Sequence, residues 1–166
     1  MIAIRIKQQK NFMAKLLTTE LFDEFLVEEA QIDTFNTFSI DGRIHRDFYK
    51  DSSLEPDQIP SEEFSAWSKL RPICLELIKG KQTPLGFKFV LHSSEKQKNE
   101  LLSHQDMDIS PEQITLGINV KLSQGQIIIT TGTSVSIFTL DKSAEKAWDD
   151  FIPSFLESNG IETEIL

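Results

Sequence analysis

The sequence predicts an α+β domain built on a mainly antiparallel sheet. Three observations lead there. Apolar and polar residues alternate with a period of two over several short stretches, the mark of half-buried strands. Glycine-containing turn pairs, among them Asp41-Gly42, Gln124-Gly125 and Gly132-Thr133, sit between such stretches. The helical stretches do not alternate one for one with strands, so βαβ crossovers and a parallel sheet are not expected. At 166 residues, 39% of them apolar with 12 Phe and 2 Trp, the chain suffices for one core. A single domain over 1–166 is expected.

Ile2, Ile4 and Ile6 alternate with Ala3 and Arg5, which predicts a first strand. Phe12, Met13, Leu16 and Leu17 then form the apolar stripe of a helix over Gln8 to Leu17. At 100° per residue, Lys7, Asn11 and Lys15 fall together on the opposite side. Between Leu26 and Ile40 the even positions are mostly apolar, which predicts one long strand or two broken near Asp33. Asp41-Gly42 reads as a tight hairpin turn, with Arg43 to Tyr49 returning as the partner strand. The stretch 50–63 holds Asp51, Glu55, Asp57, Glu62, Glu63 and two prolines. It reads as an acidic, solvated and mobile loop that need not separate domains.

Trp67, Leu70, Ile73, Cys74, Leu77 and Ile78 recur at helical spacing, with Pro72 tolerated near the start and Gly80 placed as a C-terminal cap. Leu85 to Leu91 predicts a strand, and Ser94 to His104 a polar helix. Three strands in series follow: Ile114 to Leu122, Gln126 to Thr131 and Val135 to Leu140. Ala144, Ala147, Trp148, Phe151, Phe155 and Leu156 line one side of a helix over Ser143 to Ser158. Pro153 is expected to kink or split it, and Gly160 to end it. The tail, Ile161 to Leu166, reads as an edge strand or a disordered end.

No apolar run approaches the length that spans a bilayer, so no membrane role is expected. The apolar start is too short for a signal-peptide core, and a lone cysteine excludes an internal disulfide; a cytoplasmic protein is the expectation. The candidates for chemistry are weak. Cys74 lies on an apolar stripe and reads as a small buried hydrophobe. His45, His92 and His104 lack a second ligand at metal spacing. Asp106 and Asp108 lack the glycine and closing glutamate of a calcium loop. Thr130 to Ser134 is rich in hydroxyls but reads as a hairpin turn, since it lacks the lysine and second glycine of a phosphate-binding loop. Nothing selects a catalytic pair among Glu28, Glu29, Asp33, Glu145, Asp149 and Asp150. No cofactor or metal is expected, and an enzyme is the less favoured reading.

Charge is the more informative signal. The chain carries a net −9, yet residues 1–18 sum to +4 and residues 69–88 to +4, leaving −17 for the rest. Phosphates of duplex nucleic acid are held mainly by Lys and Arg, with amides in support. Lys7, Lys10, Asn11, Lys15, Lys69, Arg71, Lys79 and Lys81 are side chains of that kind, and they lie on or beside two predicted helices. They form the candidate set for sequence-independent binding of nucleic acid or another polyanion. The competing expectation is a protein-interaction module that uses the acidic loop or the sheet edges, with the lysines as a solvated surface. A homo-oligomer is compatible with either.

Two resemblances follow from these residues. Phe35-Asn36-Thr37-Phe38 with Asp41-Gly42-Arg43, Leu70-Arg71-Pro72 with Leu77-Ile78-Lys79-Gly80-Lys81 and Thr83-Pro84, and Thr131-Gly132-Thr133-Ser134 with Phe138-Thr139-Leu140-Asp141 resemble an uncharacterised family of small proteins from clostridia-like Firmicutes. That likeness implies no catalytic residue. In topology alone, the order β-α-βββ-α-βββ with two short helices on one face, plus a C-terminal amphipathic helix, is similar to one domain of a DNA sliding clamp. In clamps those two helices meet duplex phosphates within an acidic protein. The acidic loop, the helix near 94–104 and the C-terminal helix depart from the clamp pattern.

Overall fold

Alternation along the chain decides the sheet. In the computed structural model, which describes residues 1–50 and 53–166, Ile114–Ser123 (β6) and Gln126–Val135 (β7) pair along their whole length. Ile114, Leu116, Ile118, Val120 and Leu122 of β6, with Ile127 and Ile129 of β7, are buried on one face. Thr115, Lys121, Gln126 and Ser134 are exposed on the other. Leu26–Asp33 (β2), Thr37–Asp41 (β3), Gly86–His92 (β5), Ala3–Ile6 (β1) and Thr163–Ile165 (β8) complete a sheet in the order β3-β2-β5-β6-β7-β1-β8, and Ser65–Ala66 (β4) pairs with β2. Every pairing is antiparallel.

The buried face of the sheet is covered by Gln9–Thr18 (α1), Trp67–Ile78 (α2) and Ser143–Ser158 (α4), with Glu95–Leu102 (α3) beside α4. The antiparallel α+β architecture with a C-terminal helix is therefore the one the sequence predicts. The helices are pinned by indoles. Trp67 Nε1 donates to Leu16 O at 2.8 Å, and Trp148 Nε1 donates to Gly117 O at 2.8 Å. Phe12, Phe22, Phe25 and Phe155 meet edge-on or tilted at centroid distances between 5.5 and 6.0 Å, geometries that aromatic rings favour.

Several expectations are corrected. The hairpin turn lies at Thr34-Phe35-Asn36 and not at Asp41-Gly42. Thr34 N–H donates to Asn36 O at 3.0 Å, and Thr37 Oγ1 donates to Asp33 Oδ1 at 2.8 Å, so a side-chain carboxylate supports the turn without glycine. Gly42 instead allows close approach: a Cβ there would lie 1.6 Å from Val27 O. Arg43 to Tyr49 is not a strand. Arg43 makes one bridge to Phe64, and Arg46–Tyr49 is a 3-10 turn.

Gly132-Thr133 is not a turn either. The Gly117↔Gly132 pair lies inside an unbroken ladder, and the gain from ten paired residues overrides the local turn propensity. Residues 136–142 consequently form a loop and not a strand. The helix α4 runs through Pro153 without interruption, held on both sides by buried Trp148, Ile152 and Leu156. Finally, residues 51 and 52 of the predicted acidic loop lie outside the described residues, and 53–63 is more than a solvated loop. Pro56–Gln58 forms a second 3-10 turn, and the Arg46 guanidinium donates to Pro60 O, to Ser61 O at 3.0 Å and to Glu62 O at 2.9 Å. The tail is ordered as β8, on the edge beside β1.

Candidate polyanion interface

The antiparallel sheet gives the molecule two ends. At one, the hairpin end, β6 turns into β7 through Gln124-Gly125, β2 turns into β3, and β1, β5 and β8 have their termini toward α1, α2 and α4. At the other lie the long connections 19–25, 42–64 and 93–113. Each of these three carries −3 in the sequence, so the acidity of the chain is concentrated there.

The helices α1 and α2 run in opposite senses between these ends. Gln9, in the first turn of α1, donates through Nε2 to Gly125 O in the hairpin turn at 2.6 Å. Leu16, in its last turn, receives the indole of Trp67, the first residue of α2. From there α2 returns toward the hairpin end, where Leu85 N–H donates to Asp33 O at 2.8 Å. The start of α1 and the exit of α2 thus reach the same end of the sheet. Lys7, Lys10, Lys79 and Lys81 come with them, all exposed. Gly80, at φ +146, follows the C-cap Lys79 of α2, a backbone angle that favours glycine.

The remaining candidates divide. Asn11 Nδ2 donates to Gly160 O at 2.9 Å, and Lys15 lies half-buried beside the same turn between α4 and β8. The predicted stripe of Lys7, Asn11 and Lys15 is therefore partly covered by the chain's own C-terminal turn. The outer stripe of α1 holds Lys10, Ala14 and Thr18, with exposed Lys7 just ahead of the helix. Lys69 is exposed but sits in the first turn of α2, away from the hairpin end. Arg71 holds Asp23 through two bonds, Nε to Oδ1 at 2.8 Å and a terminal nitrogen to Oδ2 at 2.9 Å. That carboxylate raises the arginine's pKa further, Glu20 adding to the effect, and engages the guanidinium within the fold. Lys79 Nζ meets Glu76 at 2.6 Å on the surface. Among the described residues, Lys7, Lys10, Lys69 and Lys81 make no salt bridge.

Three cations at the sheet belong with this end: Arg5 and Lys88, which the two basic windows contain but the candidate set does not, and Lys121, which lies outside both. Lys88 is paired directly with Lys121, and Lys121 with Ile128, which is in turn opposite Arg5. They make one row across the uncovered face. Arg5 is answered by Glu164 at 2.8 Å and Lys88 by Glu29 at 3.1 Å; Lys121 makes no salt bridge among the described residues. Strand alternation alone assigns each to the polar face. Their alignment needed the strand register, which no local signal carries.

The other candidates for chemistry are dispersed. Cys74 is fully buried, and burial pushes its thiol up to about 12, where it is no nucleophile at neutral pH. His45 and His104 are exposed. His92 Nε2 meets Glu28 Oε2 at 2.6 Å, with the Phe64 ring edge-on at 5.3 Å. It borders a shallow trough of about 420 Å³ on the uncovered face, floored by Gly117 and Gly132. No hydroxyl of that trough hydrogen-bonds His92 among the described residues. Thr131 Oγ1 donates to Asp149, which places the carboxylate of α4 in a structural role. Asp108 N–H donates to the Asp141 carboxylate at 3.0 Å, and no group of three or more metal-ligating side chains occurs among the described residues. Among the described residues, no helix is long and apolar enough to cross a membrane.

Residues 15–164 match the model of a family of unknown function, DUF5721. The chain belongs to that family. The matched span runs from the end of α1 into β8, with Lys79, Lys81, Lys88 and Lys121; Lys7 and Lys10 precede it. Neither curated proteins nor solved structures gave a match.

Proposed function

We propose that this DUF5721 member is a non-enzymatic binding module that holds nucleic-acid phosphates, without reading sequence, at the hairpin end of its sheet. The observation that carries this reading is the opposed course of α1 and α2, which brings Lys7, Lys10, Lys79 and Lys81 to one end while the acidic connections occupy the other. A field of that polarity orients an approaching polyanion despite the net −9 of the chain. Lys121, with Arg5 and Lys88 beside it, extends the cationic surface onto the sheet.

The lysines supply point charges without a fixed fork, which suits backbone contact and not base readout. Binding of this kind weakens steeply with salt, by a slope of about 0.9 in log K per neutralised phosphate. Titration of labelled duplex DNA and duplex RNA at low salt tests the proposal. Wild type should bind both, and the combined Lys7→Glu, Lys10→Glu, Lys79→Glu and Lys81→Glu variant should lose at least tenfold in affinity. Absence of wild-type binding, or binding indifferent to salt, would refute it.

A further inference from the structure

We propose that the chain also associates with itself head to tail, the 136–142 loop of one copy seating in the groove at the hairpin end of the next. The inference stands on exposed apolar groups, and its groove shares Lys79 and Lys81 with the proposed phosphate surface. Loop 136–142 presents Phe138 at 91% and Leu140 at 83% exposure, with Ile137 beside them. Large apolar side chains held this far into water mark a contact surface when they cluster.

The loop is built and not frayed. Ser136 N–H donates to Gln113 O at 2.9 Å, Asp141 N–H to Thr139 Oγ1 at 3.0 Å, and Ser143 N–H to Asp141 Oδ1 at 2.9 Å. Asp108 N–H donates to the second oxygen of the same carboxylate at 3.0 Å. These bonds fix the backbone while Phe138 and Leu140 stay in solvent. A pre-formed knob has little ordering left to lose on binding.

The complementary surface lies at the opposite end of the sheet, about 30 Å away along the ten-residue strands of the β6–β7 hairpin. There a groove of about 530 Å³ is lined by Phe35, Leu77, Ile78 and Leu85 and edged by Lys79 and Lys81. Phe35 is 85% and Leu85 79% exposed, and Phe35 is braced edge-on by Phe38 at 5.5 Å. The knob carries Asp108 and Asp141 at its base, with Asp106 in the same connection. The groove rim holds Lys79 and Lys81 with Glu76, and the knob and its base hold Asp106, Asp108 and Asp141 with Lys142, so a net positive rim faces a net negative knob and the two are complementary in apolar character and in net charge. A second copy is the occupant that supplies such an acid-edged apolar loop. Because knob and groove lie at opposite ends, the contact is heterologous and propagates to a ring or a filament.

Sedimentation velocity of the full chain, from micromolar to sub-millimolar concentration, tests this with Phe138→Glu in the knob and Leu85→Glu in the groove. Both sites are exposed, and circular dichroism melts of the two variants serve as the folding control. Wild type should grow beyond a dimer as concentration rises, and each variant alone should remain monomeric. An equimolar mixture of the two should form a dimer and nothing larger, since one variant keeps its groove and the other its knob. A wild type that stays monomeric throughout, or a mixture no heavier than its separate components, would overturn the proposal. The Phe138→Glu chain should bind duplex as wild type does, so failure of self-association is read separately from failure of polyanion binding.

Discussion

Gly42 and Cys74 show how far single residues can be read. The Asp41-Gly42 pair suggests positive φ and a hairpin, but Gly42 is needed because the backbone of β2 passes where a side chain would begin. Its N–H donates to Glu28 O at 2.9 Å and its carbonyl accepts from Ser65 N–H at 2.8 Å, so the tight approach is held on both sides. Gly42→Ala should therefore cost roughly 3–5 kcal/mol, at the severe end for a point change, measured as a fall in the urea midpoint. The identity of this glycine is visible in the sequence, but its reason lies in a contact with residues 27 and 28 that no local pattern encodes. Cys74 is the opposite case: its place on an apolar stripe already predicts burial. In the folded protein it should stay unmodified by a mild thiol reagent near neutral pH and react stoichiometrically once urea unfolds the chain. Rapid modification of the native state would contradict its burial.

At the scale of elements, periodicity identifies the helices and most strands, and pairing decides where strands stop. α1, α2 and α4 carry apolar stripes that specify their cores, and the stripe of α4 carries it through Pro153. The strand over Val135 to Leu140 fails because β6 supplies partners only as far as Val135, opposite Ile114. Alternation cannot tell a paired residue from an unpaired one. Beyond that point side-chain bonds shape the loop, above all those to Asp141. Bonds from Ser143, led by its side chain, and from the Asp108 backbone hold the Asp141 carboxyl below its usual value of 3.8. A depressed carboxylate contributes stability above its unfolded pKa and loses it as pH falls through the lower folded value. The Asp108 and Ser143 amides should accordingly lose exchange protection only on acidification below 3.8, and Asp141→Asn should lower their protection above that pH. An NMR pH titration of the Asp141 side chain that returns a value at or above 3.8 would contradict this.

For the whole molecule, the two basic windows were legible as charge, but their arrangement was not. Helical phasing groups Lys7 with Asn11 and Lys15, whereas packing buries part of that stripe under the Gly160 turn and groups Lys7 and Lys10 with Lys79 and Lys81. Arg71 looks like a phosphate ligand in sequence and is a structural tie to Asp23 in the fold. The row of Arg5, Lys88 and Lys121 depends on strand order, which follows from non-local pairing. The molecule that results is polar along its strands, acidic connections at one end and lysines at the other. The most direct test compares two variants of equal net charge by the salt dependence of duplex binding. One reverses Lys7, Lys10, Lys79 and Lys81 to Glu; the other reverses the exposed Lys50, Lys96, Lys142 and Lys146, which lie in or beside the connections of the opposite end. The hairpin-end variant should lose at least tenfold in affinity and about 3 to 4 in the slope of log K against log salt, while the opposite-end variant keeps the wild-type slope. Equal losses in both variants would show that net charge, and not this end of the sheet, governs the interaction.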